Sequence, residues 1–152
     1  MTKVLTRRSR TAPLRPGAGR GRCGHPQQRG DHVVNKAQAQ TAAHKWIAAF
    51  NNHDLETILS HYAESVELTS LLVTKVLGDP AGTVRGKQAV RAYFAKALAA
   101  APDLKFELLD VFPGVNSVAV YLRSNVRGLQ LEVMELDTDG RIARVLVHHR
   151  DP

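Results

Sequence analysis

Glu132 lies in LQLEVMEL, residues 129–136, a run in which neither set of alternating positions is wholly apolar. As a strand, this run puts Gln130, Glu132, Met134 and Leu136 on one face and Leu131, Val133 and Glu135 on the other. If the Glu132 face is the inner one, the carboxyl loses water, its pKa rises, and it can serve as a general acid or base near pH 7. If that face is the outer one, Glu132 is a solvated or subunit-rim carboxylate without chemistry. His148 and His149 follow on a later strand and, being neighbours, point to opposite faces. The connecting hairpin decides which of them joins Glu132: a three-residue loop selects His148, a four-residue loop His149. A histidine on that face forms either a proton relay with Glu132 or a cap on the open end of the sheet. The other histidines offer no metal site. His44, His53 and His61 fall on different turns without an HExxH-like pair, and a single cysteine, Cys23, makes no CxxC pair. Chemistry here is expected to need no metal and no cofactor.

Holding these groups requires helices and strands whose periods can be read directly. Ala43, Trp46, Ile47 and Phe50 recur at helical spacing, and after Asn51-Asn52-His53 the spacing restarts with Leu55, Ile58, Leu59 and Tyr62. Two short amphipathic helices are predicted, the first from about Lys36 and the second capped by Asp54. A strand over Ser65–Ser70 turns Val66 and Leu68 toward them. Leu71-Leu72-Val73 extends the apolar run until Gly78-Asp79-Pro80-Ala81-Gly82 breaks it, which predicts a flexible loop that can act as a lid. A third helix runs from Lys87 to about Ala101, with Val90, Phe94, Ala97, Leu98 and Ala101 on one face. From Leu104 onward the period falls to two, giving four strands in a meander, the last two joined through Asp137-Thr138-Asp139-Gly140. Helices followed by antiparallel strands indicate an α+β fold with the helices on one face of a curved sheet.

The chain has 152 residues and a formal net charge of +7. Residues 1–30 hold eight Lys and Arg and no acid, which leaves −1 for residues 31–152. The basic balance thus belongs to the tail, and nucleic acid is an unexpected partner for the domain. Residues 1–35 carry five of the eleven glycines and three of the seven prolines without sustained periodicity, so they are expected to be disordered. A binding arm, a transit peptide, or an over-extended start with the domain beginning near Val33-Val34 are the readings of this tail. Residues 36–152 form the expected single domain. No apolar run reaches the about 18 residues of a membrane span, and no apolar stretch follows Arg7-Arg8 as in a secretion signal. With the lone thiol, this points to a cytoplasmic location.

The order of elements, together with WIAAFNNHDLETILSHYAESVEL (residues 46–68), RGKQAVRAYF (85–94) and DTDGRIARVLV (137–147), resembles the NTF2-like superfamily. Within it the chain is most similar to the SnoaL-like polyketide cyclase branch, with ketosteroid isomerases more distant. The resemblance covers about residues 36–151. It implies a cone-shaped half-barrel closed by three N-terminal helices around an apolar pocket, in a homodimer built on the outer sheet face. Laid on the isomerase pattern, Trp46 stands where a tyrosine donates to an oxyanion, Ser70 where an aspartate is the base, and Glu132 where a second, protonated acid stands. Serine without a neighbouring base cannot shuttle a proton between carbons, so steroid isomerisation is not expected. The same alignment places His149 with Glu132. The expected function is therefore a cofactor-independent cyclase or isomerase acting on a small apolar carbonyl compound. Glu132 and His149 are its candidate catalytic residues, and Trp46, Ser70, Phe94 and Met134 its candidate ligand contacts. The alternative is a non-catalytic ligand-binding or dimerisation module.

Overall fold

A computed structural model describes residues 34–151. The expectations for residues 1–33 lie outside the described residues. Asn35 belongs to the fold, since it caps the first helix by a reciprocal pair of bonds with Gln38: Asn35 Oδ1 accepts from the Gln38 N–H at 2.9 Å, and Gln38 Oε1 accepts from the Asn35 N–H at 3.2 Å. That helix, α1 (Lys36–Asn51), buries Ala39, Ala43, Trp46, Ile47 and Phe50 along one stripe. Asp54 caps α2 (Leu55–Ser60) by accepting from the Thr57 N–H at 3.0 Å.

Tyr62 departs from the helical reading. It opens β1 (Tyr62–Ser70), because α2 stops at Ser60 and the chain turns at His61. The apolar spacing with Ile58 and Leu59 is shared by a helix and by a strand folding back on it, so periodicity alone could not separate the two.

Residues 78–82 form the expected loop, but the apolar run before it, read as continuing the strand, is a short helix, and a short strand follows. In α3 (Leu71–Leu77) the Ser70 hydroxyl accepts from the Leu72 N–H at 3.1 Å, Val73 is buried, and Leu72 and Val76 pack against the core. Gly78 closes it in the left-handed region, φ 70°. Then β2 (Thr83–Arg85) pairs with β1, and α4 (Lys87–Ala100) follows. Four strands complete the chain: β3 (Phe106–Gly114), β4 (Ser117–Ser124), β5 (Gly128–Leu136) and β6 (Ile142–His149).

The sheet order is β2-β1-β6-β5-β4-β3. The β3-β4-β5-β6 meander is antiparallel throughout, but β1 runs parallel to β6, an arrangement that the long crossover through α3 and α4 permits. A curved, unclosed sheet results, with the helices packed on its concave face. Val66, Leu68, Val111, Val118, Val120, Leu122, Met134 and Val145 point into the core against α1, α2 and α4. At the free edge, the Asn51 side chain donates to Phe106 O at 2.9 Å and accepts from the Phe106 N–H at 2.7 Å, tying the end of α1 to β3. Among the described residues no helix is long and apolar enough to cross a membrane.

Candidate functional site

The inner face of β5 reads Gln130, Glu132 and Met134, all buried, while Leu131 and Val133 on the other face are half-exposed. The register across to β6 pairs Gln130 with His149 and Glu132 with Val147. His149 therefore shares the Glu132 face and His148 is exposed on the other. The hairpin arrives at this by a route that loop length alone does not reveal. Asp137 and Arg141 close a turn around three residues, the Asp137 N–H donating to Arg141 O at 2.8 Å, and a bulge at Ala143 then adds one residue to β6. The turn alone selects His148; the bulge restores His149.

Around this face lies a cavity of about 130 Å³. Its walls are mainly apolar: Trp46, Phe50 and Phe106 from one side, Phe94, Ala97 and Leu98 of α4 from above, and Leu72 and Val76 of α3 toward the mouth. The aromatic rings brace one another, Phe50 and Phe94 edge to face at 5.3 Å and Trp46 stacked on Phe106 at 5.9 Å. Val126 and Arg127, both exposed on the turn between β4 and β5, mark where the cavity opens.

Glu132 is 6% exposed. Burial among apolar walls pushes its carboxyl up to about 8, so at pH 7 it is mostly the neutral acid, able to donate to a carbonyl oxygen. Among the described residues no side-chain or backbone group is hydrogen-bonded to it, and no fully enclosed polar side-chain atom lacks a partner. Its oxygens therefore face the cavity.

Two phenols stand near enough for the Glu132 charge to act on them. Tyr62, 1% exposed, is raised well above the usual tyrosine range, first by burial and then by Glu132. Tyr93 is raised for the same two reasons, with a hydrogen bond to Ser70 opposing. Both remain O–H donors at any physiological pH. Tyr62 Oη also accepts from Trp46 Nε1–H at 3.0 Å. This limits Trp46: its single N–H is already engaged by the protein, so what it offers the cavity is the face of its ring, not a donor for an oxyanion.

Ser70 stands at a junction. Its hydroxyl caps α3, bonds Tyr93, and lies 3.5 Å from His149 Nε2, at the limit of a hydrogen bond. His149 is half-buried, and desolvation followed by the charges of Arg127, Lys75 and His148 lowers its pKa, leaving a neutral imidazole at pH 7. Phe94 lines the cavity. Met134 does not: it is 5% exposed but sits one inward position further along β5, packed in the core away from the cavity. A shared face of a strand extends beyond the open part of the cone, which is why alternation alone overreached. Among the described residues no group of histidine, cysteine or acidic side chains has the arrangement of a metal site.

Sequence reading missed Tyr62, Tyr93, Ser124, Gln130 and Arg127. Gln130 was legible in principle as a second polar residue on the Glu132 face. Tyr93 and Tyr62 were hidden among apolar positions at helical spacing, and Arg127 in a turn.

The comparisons agree with this fold. The model of the SnoaL-like domain matches residues 43–148. A SnoaL-like protein of unknown function from Burkholderia thailandensis is 41% identical, with a TM-score of 0.74 over 78% of this chain and 98% of that one. A proposed ketosteroid isomerase from Kribbella flavida shares the fold, with a TM-score of 0.59 at 16% identity over 80% of this chain and 84% of that one. A search of curated proteins returned no match. A helix-lined cone around an inward acid, with this extent of sequence agreement, places the chain in the SnoaL-like family of the NTF2-like superfamily.

Proposed function

We propose that the protein binds a small, largely apolar carbonyl compound and turns it over without a cofactor, Glu132 acting as general acid and base. The observation that carries this is the Glu132 carboxyl, buried in an apolar cavity, open to it, and raised to about 8. A protonated acid in such a place donates to a ligand carbonyl as charge develops on the oxygen, and the basic form then removes or returns a proton. Tyr62 O–H, its oxygen polarised by the Trp46 donor, supplies a second hydrogen bond to the same oxygen. His149, neutral and 3.5 Å from Ser70, orients the ligand from the mouth or relays a proton outward. Trp46 and Phe94 pack on the ligand's body.

Size narrows the class. The cavity of about 130 Å³ is close to the ~150 Å³ void that holds a benzene ring in an engineered core. One ring or a short branched chain fits. A fused polycyclic skeleton needs a wider cone, and with Ser70 in place of a carboxylate the site also lacks the base of a steroid isomerase.

A second reading, a non-catalytic binding module, draws on the absence, among the described residues, of any hydrogen-bonded partner fixing Glu132. NMR titration of the glutamate carboxyl carbons separates the two. The catalytic reading expects a Glu132 midpoint well above pH 6; a midpoint near the model-peptide value of about 4.3 removes Glu132 as a general acid.

A further inference from the structure

The mouth of the cavity differs in chemistry from its interior. A small recess lined by Leu71, Leu72, Lys75, Arg127, His149 and Asp151 adjoins the cavity and shares Leu72, Arg127 and His149 with it. Two exposed cations therefore face one opening, Lys75 from α3 and Arg127 from the turn between β4 and β5. Neither is neutralised: among the described residues no carboxylate lies within ion-pair distance of Lys75 or Arg127. The acid of the recess, Asp151, pairs with Arg150 at 2.9 Å. Arg85, Arg91, Arg123 and Arg144 each hold a glutamate, while among the described residues Lys36, Lys45, Lys96 and Arg141 also hold none, so what sets Lys75 and Arg127 apart is their place at the opening.

A surface cation without a partner is commonly just solvated, but the main chain that carries Arg127 is held at the rim. The buried Ser124 hydroxyl accepts from the Arg127 N–H at 3.1 Å and from the Val126 N–H at 3.2 Å, fixing the turn at the rim. The Arg127 charge also reaches inside, where it acts on both Tyr93 and His149.

We infer that the ligand is a small organic acid, its apolar body in the cavity and its carboxylate held at the mouth by the Arg127 guanidinium and the Lys75 ammonium. A guanidinium offers two parallel N–H donors to a carboxylate, the ammonium adds a point charge, and the neutral imidazole of His149 adds one further donor. The apolar walls beyond accept no charge, so the acid enters body first. This rests on the pocket reading above and adds to it the ligand's charge.

The test uses the full chain and two probes of one shape, phenylacetate and phenylacetamide, titrated calorimetrically at low salt. The acid is expected to bind at least about tenfold more tightly, as charge-assisted hydrogen bonds give. In the Arg127→Gln/Lys75→Gln variant that preference should fall to within about twofold, because the acid loses more affinity than the amide does. Both positions are exposed, and an unchanged melting temperature checks that the variant is folded. Equal binding of both probes to the unmodified chain, or a preference that survives the double substitution, overturns the inference and leaves the pocket reading standing. Binding of neither probe at about millimolar concentration overturns both.

Discussion

At the scale of single residues, the position of Glu132 has a consequence for stability that needs no substrate. Its folded-state pKa, about 8, lies above the ordinary 4.5. Between these values the folded protein binds a proton that the unfolded chain releases, so stability falls as pH rises from about 4.5 to about 8 and is flat with respect to this group outside that window. Glu132→Gln removes the linkage and keeps the shape. The variant should therefore match the parent near pH 4 and exceed it by roughly a few kcal/mol at pH 8; denaturant melts across the range, with no gain at pH 8, would show that the carboxyl is solvated. Any turnover should collapse in the same variant. Tyr62 carries a different expectation. Tyr62→Phe deprives the buried Trp46 N–H of its acceptor and should cost about 1–3 kcal/mol, whereas adding Trp46→Phe should cost less than the sum of the single changes, because the orphaned donor is gone. Additive losses in that cycle would mean the bond contributes nothing. Of these residues the alternation in LQLEVMEL singled out Glu132 as a candidate but left its face open, since Glu135 is a like irregularity on the other set of positions. It exposed neither Tyr62, whose aromatic ring satisfies a helical pattern as well as a strand, nor the fact that Met134 lies beyond the open part of the cone.

Elements decide which residues meet, and here the sequence was legible in its periods and illegible in its registers. The Asp54 cap, the stripe of α1 and the period-two strands announced most of the fold, whereas the Asn35 cap fell in a stretch expected to be disordered. The helix α3 did not announce itself, because a seven-residue run, LLVTKVL, is too short for periodicity to distinguish a helix from a continuing strand. Yet α3 supplies Leu72 and Val76 to the cavity wall and Lys75 to its mouth. From the residues alone, without the resemblance, the choice between His148 and His149 was likewise open, since it depends on a bulge that no composition rule marks. That dependence can be tested. Deleting Ala143 removes the extra residue and sets the buried Ile142 directly before the exposed Arg144, so the ladder runs regularly from the turn and Val145, Val147 and His149 keep their inward positions. The expected outcome is a loss of no more than about 1 kcal/mol, as for an ordinary substitution, with any cavity binding retained. A deletion variant that loses several kcal/mol, as when core side chains are removed, would show that the bulge itself is needed to hold β6 in place.

For the whole molecule the unfinished surface is the convex face of the sheet. Cross-strand pairing brings Tyr121 opposite Leu131 and Ala119 opposite Val133, with Val133 in turn opposite Leu146. All five are half-exposed. An apolar strip in the middle of a sheet, on the side away from the helices, is not used by the fold of one chain, and a second copy related by a two-fold axis would present the same strip to it. We expect a homodimer through this face. The charged residues at its margin fit a rim: Arg123 pairs with Glu107 at 3.0 Å, and Arg144 with Glu135 at 3.5 Å, so the strip is bounded by satisfied ion pairs rather than by bare charges. Val133→Lys places a charge at its centre, where desolvation in a dimer is costly but exposure in a monomer is not. Sedimentation velocity at about micromolar concentration, the range where a stable interface of standard size holds, should show a dimer for the parent and a monomer for the variant, with phenylacetate binding unaltered because the cavity lies on the opposite face. A parent that sediments as a monomer there would refute the dimer. A variant that dissociates and also loses its ligand would mean that the two faces of the sheet are coupled, and that the cone keeps its shape only when paired.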